Sequence, residues 1–259
     1  MKRARVAAVI PARMASSRLP GKPLLDVRGL PMVEHVRRRA LMCKGFSEVV
    51  VATCDPEIAR VVQGYGGRCL MTSPHHPAAT DRVAEAMQQL DCTHVVNVQG
   101  DEILVLPSDL DRMIDAIDAE PDVPAWNAVA FLEGPAELGD PAVVKCVVSV
   151  SGRILYCSRD FTTLAARLGG STAPIRKILG VLAYTRGFLS RYQTLPRTPL
   201  EMAEGIDQSR IIEHDVPLRG VAFTKGYAGI NEPREVDAVQ DCFANDPHQQ
   251  ALLQEVLAA

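Results

Sequence analysis

A chain of 259 residues, 47% apolar and 23% charged, has the make-up of a globular protein with room for one large domain or a domain and a sub-domain. Its formal net charge of −3 provides no general attraction for nucleic acid, and no apolar run approaches the roughly 20 residues of a membrane helix, so neither partner is expected. Seven cysteines, an odd number without paired or zinc-ligand spacing, suit free thiols in a reducing cytoplasm.

Lys2, Arg3 and Arg5 precede the apolar run Val6 to Ile10. A signal peptide begins this way, but Pro11 ends the run and Arg13 follows, which predicts a buried first strand. From Pro31 to Met42, residues Met32, Val33, Val36, Ala40 and Leu41 form a helical stripe, with Arg37, Arg38 and Arg39 largely off it. Val49-Val50-Val51 marks a second strand, and Asp55 is placed to cap a helix over 56–63. Gly66-Gly67 stops that helix before a strand at 69–71. A helix from Thr80 to about Leu90, a strand at 93–98 and a helix at 107–119 follow. This alternation predicts an α/β fold with a mostly parallel, doubly wound sheet. Right-handed crossovers bring the loops after the strands to one edge, where ligands of such sheets bind.

The pattern changes after about residue 140. Residues 143–150 and 154–157 flank Ser151-Gly152-Arg153 as a β-hairpin. The stretch 161–174, with Gly169-Gly170, reads as a mobile loop. Strands at 178–184 and 220–224 and helices at 186–193, 199–205, 232–242 and from 247 complete the chain. Residues 1–259 are read as one domain, with 1–140 mainly nucleotide-binding and 141–230 mainly for acceptor binding and dimerisation.

Two post-strand segments carry chemistry. The segment from Pro11 to Pro23 holds Arg13, Arg18 and Lys22 among small residues such as Ala12 and Ser17. A triphosphate needs backbone donors for its non-bridging oxygens and fixed cations for a leaving pyrophosphate, and this loop offers both. By composition alone a solvated basic loop fits equally well, and the segment matches neither the P-loop nor the dinucleotide-binding glycine pattern. In Gln99-Gly100-Asp101-Glu102, Asp101 stands past the end of a buried strand, where a carboxylate can meet magnesium or cap a helix.

The order Arg13…Ser17-Arg18-Leu19-Pro20-Gly21-Lys22-Pro23-Leu24 resembles the signature of sugar-activating nucleotidyltransferases. The closer match is the 3-deoxy-manno-octulosonate cytidylyltransferase family, also called CMP-Kdo synthetases. Similar stretches follow in order at Gly29-Leu30-Pro31-Met32, Val50-Val51-Ala52-Thr53, Thr80-Asp81-Arg82, Val96 to Glu102, Val144-Lys145, Tyr156-Cys157-Ser158-Arg159 and Pro199-Leu200-Glu201.

The resemblance implies a nucleotide-diphospho-sugar transferase-like fold and a homodimer built through the hairpin region. It also implies a magnesium-dependent transfer of CMP from CTP to a small acidic acceptor, a 2-keto sugar acid or an analogue. Arg13, Arg18, Lys22 and Asp101 would be catalytic, with Asp101 and Asn231 on the metal. Ala12, Ser17, Thr80, Arg82 and Gln99 would face the nucleotide, and Ser158, Arg159, Glu201, Asp207 and Gln208 the acceptor.

The chain departs from the family pattern at defined positions. Ala78-Ala79 replaces a Ser-Gly pair before Thr80. Ile178-Leu179-Gly180-Val181-Leu182 replaces His-x-Gly-x-Tyr, which points to an acceptor other than the ordinary sugar acid. Asp207-Gln208 stands where the family has Glu-Gln, and Asn231 where it has an Asp on the second metal. An amide binds magnesium less strongly than a carboxylate; Glu232 is an alternative ligand, and Asn231 an alternative helix cap. A phosphonate or nonulosonate acceptor, a different nucleoside triphosphate, and a non-catalytic nucleotide-binding protein are the rival readings.

Overall fold

The computed structural model describes residues 4–15 and 18–259. The chain forms two compact units, Met1–Ile114 with Tyr227–Ala259, and Asp115–Gly226. These units meet in the chain at 114 and 226, while the expected division at 140 and 230 is one of binding roles within a single domain.

In the first unit, β1 (Val6–Ala12) is buried along its whole length. Val6, Val9 and Ile10 are each at most 1% exposed, and burying each contributes roughly 1.5–3 kcal/mol. A two-stranded ribbon, β2 (Asp26–Val27) and β3 (Leu30–Pro31), leads into α1 (Met32–Met42). Then come β4 (Phe46–Thr53), α2 (Pro56–Gly64), β5 (Arg68–Met71), α3 (Ala79–Gln88), β6 (His94–Val98) and α4 (Pro107–Ala119). Strand β1 pairs in parallel with β4 on one side and β6 on the other, and β5 adds beyond β4. The chain therefore moves outward from β1 to β5 and then returns across β1 to β6. That reversal opens a crevice at the carboxyl ends of β1 and β6, the place where such sheets take ligands.

The second unit starts with β7 (Ala125–Ala130), a buried strand that the periodicity did not reveal. The expected hairpin is present as β8 (Lys145–Val148) and β9 (Ile154–Ser158). The expected mobile loop instead contains α5 (Thr162–Arg167). Asp160 accepts from the Thr162 backbone at 2.7 Å, and Gly169, with φ of 66°, ends the helix by bonding to Ala166. The glycine pair read as flexible is a helix stop. Strand β10 (Ile175–Thr185), α6 (Arg186–Tyr192), α7 (Pro199–Glu204), α8 (Asp207–Glu213) and β11 (Leu218–Ala222) follow. Strand β10 is antiparallel to both β7 and β8, whereas β11 is parallel to β7.

The chain then rejoins the first unit with α9 (Pro233–Asn245) and α10 (Pro247–Ala258). Val239, Phe243 and Leu253 pack with Val27, Met32, Ile103 and Leu104 in one apolar cluster, which fixes these helices beside the β1 and β6 loops. His35 of α1 lies under Phe243, with its Nε2 2.7 Å from the Val27 carbonyl. Burial pulls its pKa down to about 4. No helix among the described residues is long and apolar enough to cross a membrane, and the seven cysteines are all free.

Candidate active site

The basic loop leaves β1 at Ala12 and is fixed at two points. The Met14 amide donates to the Asp55 carboxylate at 2.8 Å, and the Gly21 amide donates to the Met14 carbonyl at 3.1 Å. Gly21 has φ of 75°, a left-handed conformation that glycine adopts without steric cost. A single 3-10 turn over Lys22–Leu24 follows, with Pro23 buried, so Lys22 projects from a rigid base. Asp55 was expected to cap α2; its side chain makes no cap bond and holds the basic loop instead.

The second loop leaves β6 as a tight turn. The Glu102 amide bonds the Gln99 carbonyl and the Ile103 amide bonds the Asp101 carbonyl at 2.8 Å. The next helix starts only at Pro107, so Asp101 is not a helix cap. Gly100 allows the two loops to touch: a Cβ there would lie 3.0 Å from the Pro11 carbonyl oxygen.

A third segment closes on this pair from the carboxyl-terminal part. A Cβ on Gly229 would lie 2.8 Å from the Asp101 carbonyl oxygen, and the Ile230 amide donates to that same oxygen at 3.3 Å. Asn231 follows, and its side-chain oxygen accepts from Lys22 Nζ at 3.3 Å. Lys22 Nζ is also 3.6 Å from the Asp101 carboxylate. Glu232, not Asn231, caps α9, in a reciprocal capping box with Glu235. Its carboxylate also lies 3.4 Å from Arg18.

The first two loops, with Met32 of α1 and the start of α3, line a cavity of about 250 Å³. Of the residues expected at a nucleotide or its phosphates, Ala12, Arg13, Arg18, Lys22, Arg82, Gln99 and Asp101 line it. Thr80 is buried in α3, outside the lining. Ser17 lies outside the described residues. Arg82 is 3% exposed and gives one guanidinium nitrogen to the Thr72 hydroxyl and the Ser73 carbonyl.

The donor set can be tested against magnesium. Among the described residues no three His, Cys, Asp or Glu side chains converge to hold a metal by themselves. Asp101 supplies one carboxylate and Asn231 one amide oxygen, and the Lys22 ammonium sits within 3.6 Å of both, a cation in the place where a shared cation fits. Magnesium characteristically takes one or two protein oxygens and fills its shell with phosphate and water, so these residues fit it when a polyphosphate supplies the rest.

The residues expected around an acceptor all lie in the second unit. Ser158 donates to Glu204 at 2.9 Å, and the Arg159 amide bonds the same carboxylate at 3.0 Å. The Arg159 guanidinium bonds the carbonyls of Glu204 and Pro141, so it is not the surface ion pair that its sequence context allows. Glu204 is thus a hub that sequence reading missed. Glu201 is 1% exposed, completes the capping box of α7, and pairs with Arg197 and Arg210. Arg210 pulls the pKa of Glu201 down against the cost of its burial. Gln208 donates to the buried Asn127 at 2.8 Å, and Asn127 in turn donates to the Leu179 carbonyl at 2.9 Å. Asp207 opens α8, with its carbonyl 3.4 Å from the Tyr192 hydroxyl. The register of β10 against β7 breaks between Ile178 and Leu182, which puts a bulge at the aliphatic stretch singled out above.

A parallel sheet with flanking helices and a cluster of cations at its switch point in one unit, and an antiparallel hairpin in the other, define a nucleotidyltransferase-like α/β fold. A family model for cytidylyltransferases matches residues 7–218. The 3-deoxy-manno-octulosonate cytidylyltransferase of Escherichia coli is 35% identical over 92% of this chain and 96% of its own length. That of Myxococcus xanthus is 40% identical, over 93% and 97%. The 8-amino-3,8-dideoxy-manno-octulosonate cytidylyltransferase of Shewanella sediminis is 36% identical, over 93% and 99%. A solved CMP:2-keto-3-deoxy-manno-octonic acid synthetase, complexed with CTP, superposes with a TM-score of 0.86 at 34% identity, covering 94% of this chain and all of that one. The chain belongs to the 3-deoxy-manno-octulosonate cytidylyltransferase family and is a nucleotidyltransferase.

Proposed function

We propose that the protein transfers CMP from CTP to a 2-keto sugar acid or a close analogue, releasing pyrophosphate with magnesium bound. The observation that carries this reading is the convergence of Arg13, Arg18, Lys22, Gln99 and Asp101 on one cavity at the β1–β6 crevice. The acceptor hydroxyl oxygen forms the new bond to the α-phosphorus, the bond from that phosphorus to the α,β-bridging oxygen breaks, and the hydroxyl proton passes to solvent. Magnesium, when bound through Asp101 and the phosphates, supplies neutralisation of the phosphate oxygens. Arg13, Arg18 and Lys22 hold the β- and γ-phosphates and offset the charge that gathers on the departing pyrophosphate. Gln99 and Arg82 border the same cavity and are assigned to the nucleotide.

The acceptor is the open part of the reading. Relatives named for the ordinary and for the 8-amino sugar acid match this chain at 35% and 36% identity, so similarity does not separate them. Leu179, Val181 and Leu182 at the β10 bulge are buried aliphatics, which favours an acceptor that needs fewer hydroxyl partners there. The test measures pyrophosphate release with CTP, magnesium and a panel holding both sugar acids, a nonulosonate and a phosphonate. One acid should be turned over at least about tenfold faster than the rest. CTP should raise the melting temperature and ATP should not. Stabilisation by CTP without turnover of any acid would leave a nucleotide-binding protein in place of an enzyme of this substrate class.

Self-association through the hairpin belongs to the same reading. Val150 at its turn and Leu155 and Tyr156 on β9 are exposed apolar side chains on one small structure. Sedimentation should give a dimer, and Tyr156→Glu should shift it toward monomer.

A further inference from the structure

Lys22 meets Asp101 at 3.6 Å and Asn231 at 3.3 Å, and the main chain at each of the three is held by hydrogen bonds. The 3-10 turn fixes Lys22, the Gln99–Glu102 turn fixes Asp101, and the Asn231 amide is held by the Glu235 carboxylate at 2.5 Å. One ammonium, one carboxylate and one neutral amide sum to zero charge. A free divalent cation arriving here meets a carboxylate already neutralised and a fixed ammonium a few ångströms away. With a carboxylate at position 231 the same trio would carry a net negative charge, and a cation would be drawn in without help.

We propose that Lys22 and Asn231 together keep the Asp101 site closed to divalent ions until a polyphosphate arrives. This rests on the nucleotidyltransferase reading above and deepens it by assigning an order of binding. The phosphates of the incoming nucleotide draw the Lys22 ammonium to themselves, and Asp101 is thereby released for the ion that the same phosphates carry. Asn231 is a positioning residue in this scheme: it holds the ammonium by a hydrogen bond and contributes no charge that would recruit a metal on its own.

The experiment titrates Mn²⁺ into the full-length protein and reads bound ion by water-proton relaxation, with no nucleotide and then with CTP. Wild type should bind Mn²⁺ weakly alone and at least about tenfold more tightly with CTP. Without nucleotide, Asn231→Asp and Lys22→Met should each bind Mn²⁺ at least about tenfold more tightly than wild type. Lys22→Gln repeats the second arm should Lys22→Met not fold. The proposal is overturned if wild type binds Mn²⁺ as tightly alone as with CTP, or if either substitution leaves nucleotide-free binding unchanged. Absence of any CTP binding would instead defeat the nucleotidyltransferase reading, and the nucleotide-free comparison would still decide the roles of Lys22 and Asn231.

Discussion

Lys22 and Lys145 both stand in stretches resembling one enzyme family, and the structure gives them opposite surroundings. Lys145 is fully buried, donates to the carbonyls of Asp140 and Val143 at 2.8 Å each, and reaches the Arg159 carbonyl as well. Its three donors are spent on backbone, so it clips the loop before β8 to the end of β9. Among the described residues Lys22 makes only long contacts, to two side-chain oxygens at the wall of a cavity. The carboxylates divide the same way. Glu201 is enclosed by two arginines and its own cap, whereas the Asp101 carboxylate has one weak partner among the described residues. A buried charge with every bond satisfied holds a fold together; a charge with unspent capacity beside open space can act on a ligand.

Substitutions can break this contrast. Arg210→Met leaves the buried Glu201 with the exposed Arg197 and its cap bond, and should destabilise the protein by about 3–5 kcal/mol in urea unfolding. A loss under about 1 kcal/mol would show that the second unit's charges are not structural. Asp101→Ala should reduce turnover by at least about 100-fold with an unchanged melting temperature. Equal turnover in that variant would remove the carboxylate from the mechanism.

The buried His35 supplies a pH test. With its folded pKa near 4 and an ordinary value of 6.5, the unfolded chain takes up the proton first as pH falls. The associated stability is therefore complete above about pH 6.5 and is lost as pH drops toward 4, up to roughly 3 kcal/mol. His35→Gln should flatten that part of the stability curve. Gly229→Ala forces a methyl to within 2.8 Å of the Asp101 carbonyl and should lower turnover by about tenfold through displacement of that turn. The smallest effect is expected from Asp55→Ala, which frees the Met14 amide. It should raise the KM for CTP a few-fold, about 1 kcal/mol, with kcat nearly unchanged.

The first unit was legible because its signals are local. Val6 to Ile10 and Val49 to Val51 are continuous apolar runs, and helices between them carry clear stripes. The cations and Asp101 follow directly from the ends of two such strands, so chain order alone puts them at one edge. The second unit resists that reading. Strand β7 carries a polar Asn127 whose partners, Gln208 and the Leu179 carbonyl, lie far away in sequence. Helix α5 is too short for a stripe and ends in glycines that mimic a loop. Helix α8, only seven residues long, is likewise too short to show a stripe. Glu204 and Asp55 gave no local signal, because each serves a backbone amide on another element. Asn231 could be noticed as a replacement but not located; only the close approach of Gly229 to Asp101 brings it to Lys22.

That close approach has a consequence for biogenesis. A ribosome delivers Lys22 and Asp101 early, but their contacts with Asn231 and Ile230 form only when the stretch after residue 226 emerges and docks. A nascent chain released at residue 226 would carry the cations and the acid without the Asn231 oxygen that Lys22 meets, and would lack the apolar cover of Val239 and Phe243 over Met32 and Leu104. Restraint of Lys22 is thus tied to synthesis beyond residue 231, because the oxygen it meets comes from a segment made long after the first strand.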